Sequence, residues 1–308
     1  MRIAIMGSGG VGGYVGAWLQ RSGQDVSFIA RGAHLAALRR DGLRIEHPQW
    51  PLHLPQVAAT DDPASVGPVD LVIFAVKLFD TEGALGTMAP LVGPTTRVLT
   101  LQNGIDSVAS IRSRLAPSAV VLGGVIYVSA VIDRPGVIRS PGGMHAIVAD
   151  RANGDTVMAE LEQAAATLDA LSVQLSDEAT LVIWEKFTAL ASVSGATSLL
   201  RSRMGPILGH PESLAFQRQL VDEVVAVGLA HGVALRAGLA DEIMGRLAAM
   251  PPSFRSSMAE DLERGNRLEL RWLSGRVHAL GLAHGVPTPM HTAVFRGLVL
   301  HEGGSQSS

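Results

Sequence analysis

Cysteine is absent from the 308-residue chain. That excludes disulfides, a thiolate nucleophile and zinc–thiolate centres, and it fits a reducing compartment such as the cytoplasm. Lysine is almost absent too: of 25 basic residues, only Lys77 and Lys186 are not arginine. Aromatic residues are sparse at 4%, and the net charge of −3 gives no electrostatic case for nucleic acid or an anionic membrane. Outside the N-terminus the longest apolar run, residues 119–132, is β-branched and falls short of the roughly 20 residues that a spanning helix needs. The apolar N-terminus is broken by glycine at 7, 9, 10, 12, 13 and 16, which argues against a signal peptide. What remains is a soluble, core-rich chain, 47% hydrophobic and long enough for about two domains.

The first half alternates β-branched runs with helical stretches. Strands are expected at residues 2–6, 25–30, 70–76, 97–101 and 120–127, and helices at 10–21, 33–41, 81–89 and 105–115. Such alternation implies right-handed crossovers and a parallel sheet covered on both faces, a Rossmann-type α/β domain. Residues 43–69 carry five prolines and read as an irregular or β-hairpin insertion, and 137–150 as a late strand pair at the sheet edge. From about residue 176 the texture becomes helical, with segments at 177–200, 211–231, 237–250 and 267–284. The expected organisation is a nucleotide-binding domain over 1–175, a mostly α-helical domain over 176–302 and a flexible tail over 303–308.

Gly7, Ser8, Gly9, Gly10, Val11 and Gly12 form G-x-G-x-x-G between the first strand and the first helix. The first glycine permits the tight turn, the second lets the backbone approach a pyrophosphate, and the third lets helix and strand pack closely. The phosphates then meet the N–H groups and dipole at the helix N-terminus. After the second strand, where an NAD-preferring protein places an acidic residue for the ribose, stands Arg31. A guanidinium suits a 2′-phosphate, so the pattern favours NADP (NADPH).

In a chain that uses arginine for ordinary positive charge, a retained lysine suggests chemistry that arginine cannot do, because burial can tune a lysine to give up its proton. Lys77 ends the apolar run 71–76, and the turn-forming pair Asn103-Gly104 follows the next strand. Ligands in open α/β sheets bind beyond such strand ends. Lys186 lies in Trp184-Glu185-Lys186-Phe187 on the first long helix of the second half. Ser257, Asp261 and Glu269 stand at i, i+4 and i+12, so one helical face could carry all three unless Gly265-Asn266 interrupts it.

Taken in order, these elements resemble the ketopantoate reductase family over nearly the whole chain: the glycine turn, Arg31, Val76-Lys77, Gln102-Asn103-Gly104, Trp184-Glu185-Lys186, and Ser256-Ser257-Met258 followed by Glu269. The resemblance implies NADPH-dependent reduction of 2-dehydropantoate to (R)-pantoate, a step towards pantothenate. It implies Lys186 as the proton donor to the substrate carbonyl, supported by Glu269. Ser257 would help hold the carboxylate, and Lys77 and Asn103 would line the cofactor–substrate junction. Many members carry asparagines four and eight residues after this lysine, where this chain has Leu190 and Ser194. If those positions touch substrate, the side-chain recognition has changed.

Two alternatives stay open: a reductase of a more apolar 2-oxo acid or other ketone, and a non-catalytic NADP-binding sensor, for which Lys77, Lys186 and Glu269 would have no use. A homodimer is a further possibility that the sequence leaves undecided. No metal site is expected, since the ten histidines form no H-E-x-x-H pattern and His278, His284 and His291 are six and seven apart.

Overall fold

The structure, a computed structural model, describes residues 1–305. The chain divides into two compact units, Met1–Ala179 and Thr180–Ser308. Among the described residues no helix is long and apolar enough to cross a membrane.

The first unit runs β1 (Arg2–Met6), α1 (Gly10–Arg21), β2 (Asp25–Ile29), α2 (Gly32–Asp41), β3 (Leu43–Glu46), β4 (Leu52–Leu54), β5 (Ala58–Thr60), β6 (Leu71–Phe74), α3 (Thr81–Met88), β7 (Arg97–Thr100) and α4 (Ser107–Arg112). It continues through β8 (Val120–Tyr127), β9 (Val131–Arg134), β10 (Val137–Arg139), β11 (Ala146–Asp150), α5 (Thr156–Ala165) and β12 (Ser172–Ser176). Eight strands form one sheet in the order β12-β11-β8-β7-β6-β1-β2-β5. Its central strands are apolar on both faces: Ile3, Ala4 and Ile5 of β1 and all four residues of β6 are fully buried. That is the pattern of a strand covered by helices above and below. The α/β class expected from the sequence is therefore observed, with one difference. β11 runs antiparallel to β8, so the sheet is mixed.

The insertion after α2 contains the expected hairpin, β3 against β4, while β5 joins the main sheet beside β2. Residues 137–150 do not form a strand pair at the edge. β10 pairs with β3 and β9 in a separate four-stranded sheet, and β11 lies inside the main sheet between β8 and β12. The glycines at 142 and 143, both at positive φ, let the chain change direction between the two sheets.

The second unit is helical: α6 (Ala179–Leu199), α7 (Met204–Gly209), α8 (Pro211–Ala230), α9 (Leu239–Ala248), α10 (Ser257–Glu263), α11 (Ser274–His284) and α12 (Pro289–Leu298). A polar network pins its centre. The Glu223 carboxylate accepts from the Met290 and His291 amides at 2.7 and 2.9 Å, capping α12. The His291 Nε2 faces the Leu220 carbonyl at 3.1 Å and must donate to it, which leaves Nδ1 to accept from the Ser274 hydroxyl at 3.1 Å. Burial pushes this imidazole down to about 4, so it is neutral at physiological pH.

Two expectations are corrected here. Residues 267–273 lie outside any α-helix; α11 begins only at Ser274, after a short 3-10 turn at Leu270–Trp272. The terminal segment is not loose along its whole length, because the Ser305 amide donates to the Gly265 carbonyl at 2.8 Å. Residues 306–308 of the expected tail lie outside the described residues.

Candidate active site

In the first unit the C-terminal ends of β7, β6, β1 and β2 stand side by side, and each carries a residue singled out by sequence. Gly7 follows β1 at φ 95°, and a Cβ there would come within 2.9 Å of the Val76 backbone. A Cβ at Gly12 would collide with the Gly7 carbonyl, so this glycine is what lets α1 pack so closely on the turn. Above Gly9 there is open space, with nothing within 4 Å of where a methyl group would sit. Gly9 caps α1 without a side chain, and the first helical turn has no acidic residue. The free N–H groups and the positive end of the helix dipole are thus left for an anion. The donor set fits the pyrophosphate of a dinucleotide.

The remaining residues of the turn are placed differently. The Ser8 hydroxyl points inward and donates to the Ile5 carbonyl at 3.3 Å, and the Ser8 amide donates to the Ile29 carbonyl at 3.0 Å. Both Ser8 donors are thus engaged with neighbouring strands. A Cβ at Gly10 would strike the Ala130 carbonyl, so its glycine serves the fold, and Val11 is half-buried. Arg31, the N-cap of α2, is exposed; its carbonyl accepts from the Leu35 amide at 3.3 Å, while its side chain makes no hydrogen bond or ion pair among the described residues.

Lys77 is exposed and opens the short 3-10 turn Leu78–Asp80 beyond β6. Asn103 is half-buried beyond β7, with Gly104 at φ 86°. Two residues that sequence reasoning did not place in the site have structural roles in this unit: Gln102 supports these turns, and His34 ties α2 to the turn between β9 and β10. The buried Gln102 amide nitrogen donates to the Val76 carbonyl at 3.0 Å and to the Thr81 hydroxyl at 2.8 Å. The His34 Nδ1, on α2, accepts from the Gly136 amide at 3.1 Å. The adjacency of Gln102 to Asn103 was the only signal for the first, and nothing in the sequence marked the second.

In the second unit Lys186 sits on α6, half-buried. Desolvation lowers its pKa to about 8, and the Glu269 carboxylate opposes that shift. Glu269 is buried. It does not share a helix with Ser257 and Asp261, because α10 stops at Glu263 and Gly265 turns the chain at φ 68°. The turn Leu270–Trp272 starts from Glu269, whose carbonyl accepts from the Trp272 amide at 3.1 Å. Sequence spacing therefore missed the route but the structure still couples Glu269 to Lys186.

Leu190, one turn after Lys186, is half-buried. Ser194, a further turn on, is fully buried, and its hydroxyl bonds to nothing among the described residues. Ser256 is buried and caps α10 by accepting from the Ala259 amide at 3.1 Å, whereas Ser257 is exposed on the first turn. Among the described residues no group of three or more His, Asp or Glu side chains could hold a metal ion.

Comparison with known proteins bears on both units. Residues 3–154 match the family model described as ketopantoate reductase PanE/ApbA, and residues 178–301 match the model of its C-terminal part. A 2-dehydropantoate 2-reductase of Mesorhizobium japonicum is 32% identical, with 96% of this chain and 95% of that protein covered. The crystal structure of a PanE/ApbA family ketopantoate reductase from Ralstonia eutropha superposes with a TM-score of 0.89 at 32% identity, covering 98% of each chain. A D-mandelate dehydrogenase, solved with NADH and anilino(oxo)acetate, shares the fold at a TM-score of 0.86 and 22% identity, with 98% of each chain covered.

Proposed function

The chain belongs to the ketopantoate reductase family of oxidoreductases, and from that premise we propose that it reduces a 2-oxo acid to the 2-hydroxy acid with NADPH, 2-dehydropantoate being the best-supported substrate. The observation that carries this reading is Lys186: a lysine whose pKa is lowered to about 8 with a buried glutamate acting on it. Such a group is charged at neutral pH yet ready to release a proton, which is what a general acid requires.

Bound NADPH would supply hydride to the carbonyl carbon. The oxygen then gains negative charge, and the Lys186 ammonium stabilises it and transfers a proton to it. Lys186 is left as the neutral amine and is recharged from water. Glu269 raises the proton affinity of the amine against the pull of burial, so the acid form is restored after each turnover. The exposed Ser257 hydroxyl is assigned to the substrate carboxylate. The turn from Gly7 to Gly12 and the N-terminus of α1 would hold the pyrophosphate, and Arg31 the 2′-phosphate, while Lys77 and Asn103 serve the nicotinamide end.

Leu190 favours a second reading, a 2-oxo acid with an apolar side chain. A leucine makes no hydrogen bond to a substrate hydroxyl, whereas an asparagine would discriminate by one. The test is NADPH oxidation against 2-dehydropantoate and a panel of apolar 2-oxo acids. Highest kcat/KM with 2-dehydropantoate supports the first reading, and a preference for the apolar acids supports the second. Oxidation of none of them would sink both.

A further inference from the structure

Gln102 is buried, and both N–H groups of its amide are used, one on the Val76 carbonyl and one on the Thr81 hydroxyl. Val76 immediately precedes Lys77, and Thr81 is the first residue of α3. A single amide therefore closes the turn that carries Lys77 from both of its ends. The same residue is the covalent neighbour of Asn103, and its own amide N–H is tied to the Thr100 hydroxyl at 3.3 Å. Val76 is fixed from the other side as well, because its backbone occupies the space that a Cβ on Gly7 would need. Gly7, Val76 and Gln102 thus form one packed line from the glycine turn to the ends of β6 and β7. The Gln102 Oε1 is also buried and bonds to nothing among the described residues, so the side chain is not merely a satisfied polar plug.

We propose that Gln102 is a positioning residue for the nicotinamide end of the cofactor site, holding the Lys77 and Asn103 turns in fixed relation to the glycine turn. This rests on the reading of the chain as an NADPH-dependent reductase. The hydride must start within about 3–3.5 Å of the carbon it attacks, so a small loosening of these turns damages the reaction without abolishing dinucleotide binding. The adenosine end, held through Arg31 beyond β2, lies outside the clamp.

The experiment compares wild type with Gln102→Met, which keeps length and volume but removes both donors. Affinities for NADPH and for 2′-phospho-ADP-ribose, which lacks the nicotinamide, are measured by calorimetry beside kcat, KM and Tm. The expected result is about a 10-fold loss in NADPH affinity, the cost of one or two lost hydrogen bonds, with a comparable loss in kcat. Binding of 2′-phospho-ADP-ribose should stay within about twofold of wild type, since that ligand makes no use of the clamp. Equal weakening of both ligands, or a fall in Tm with NADPH affinity and kcat unchanged, overturns the assignment and leaves Gln102 a structural residue. If Gln102→Met does not fold, Gln102→Glu carries the test. Its carboxylate cannot donate to Val76 and regains one donor only on protonation, so its NADPH affinity should recover relative to wild type as the pH is lowered; a constant ratio overturns the proposal. A wild type that neither binds NADPH nor reduces any 2-oxo acid would defeat the underlying reading instead, and that outcome is distinct from both.

Discussion

The Thr197 hydroxyl lies 2.9 Å from the Ser256 hydroxyl, with both side chains buried. Thr197 is eleven residues beyond Lys186 on α6, three turns along nearly the same face. Ser256 opens the helix on which Ser257 is exposed. Neighbouring serines thus have separate tasks, one fixing where α10 begins and the other presented on its surface. Ser256→Ala should lower stability by about 1–2 kcal/mol, the range for a lost helix cap. Ser257→Ala should leave Tm unchanged and raise KM for the 2-oxo acid. Reversal of these phenotypes in melts and steady-state kinetics would refute the division.

Cofactor choice should follow Arg31. Only the 2′-phosphate distinguishes NADPH from NADH, so Arg31→Ala should weaken NADPH selectively, by about 1.5–3 kcal/mol for a charged hydrogen bond. Titration with both cofactors measures this. Equal losses, or a wild-type preference for NADH, would remove Arg31 from the role.

The pH profile should carry the signature of Lys186. The reaction needs the protonated amine, so turnover should fall as pH rises through about 8. Removing the charge that opposes desolvation, by Glu269→Gln, should move this limb to lower pH. Lys186→Arg keeps charge but loses the ready proton, and kcat should drop about 10²–10⁴-fold. A profile that stays flat through pH 8 in wild type would exclude Lys186 as the acid.

The same lysine should cost the fold stability. Its pKa is lower in the native chain than in the unfolded one, so between about 8 and the ordinary lysine value of 10.5 the unfolded chain binds more protons. This group's contribution to stability therefore improves as pH rises through that window, and the penalty is complete below it. Lys186→Met at neutral pH should raise Tm by a few degrees while abolishing turnover, a trade of function for stability. A lower Tm for this variant would show that the lysine stabilises its surroundings.

Substrate choice is best probed at Leu190 alone. Ser194 is fully buried, and an asparagine there would add volume to a packed interior, at a cost of about 1–3 kcal/mol. Leu190→Asn, at a half-buried position, should shift kcat/KM towards 2-dehydropantoate by about 10-fold, the value of roughly one neutral hydrogen bond. An unchanged substrate ranking in a folded variant would mean that another residue reads the side chain.

Local signals carried much of this structure. Gly7, at positive φ, and Gly12, against the Gly7 carbonyl, are dictated by backbone geometry within a few residues, and the rarity of lysine drew attention to Lys77 and Lys186. Long apolar helices such as α8 were legible from period and from Pro211 at the first turn. What the sequence did not disclose depends on distant partners. β10 leaves the main sheet because β3, about 90 residues earlier, pairs with it. The helical spacing of residues 267–273 was overridden where the Leu268 amide binds the Glu302 carbonyl at 3.0 Å. Gln102 acts on the Val76 carbonyl and the Thr81 hydroxyl, and His34 on the Gly136 amide, partners 21 or more residues away that leave no local pattern to read.

The empty volume over Gly9 makes tolerance to mutation differ between neighbouring glycines. An alanine at Gly9 meets no protein atom within 4 Å, whereas at Gly10 it collides with the Ala130 carbonyl. In a library screened first for folded protein and then for turnover, variants at Gly10 should vanish at the first sieve and those at Gly9 only at the second. Gly9→Ala would then be a well-folded, inactive decoy, suited to separating the cellular consequences of the protein's presence from those of its chemistry.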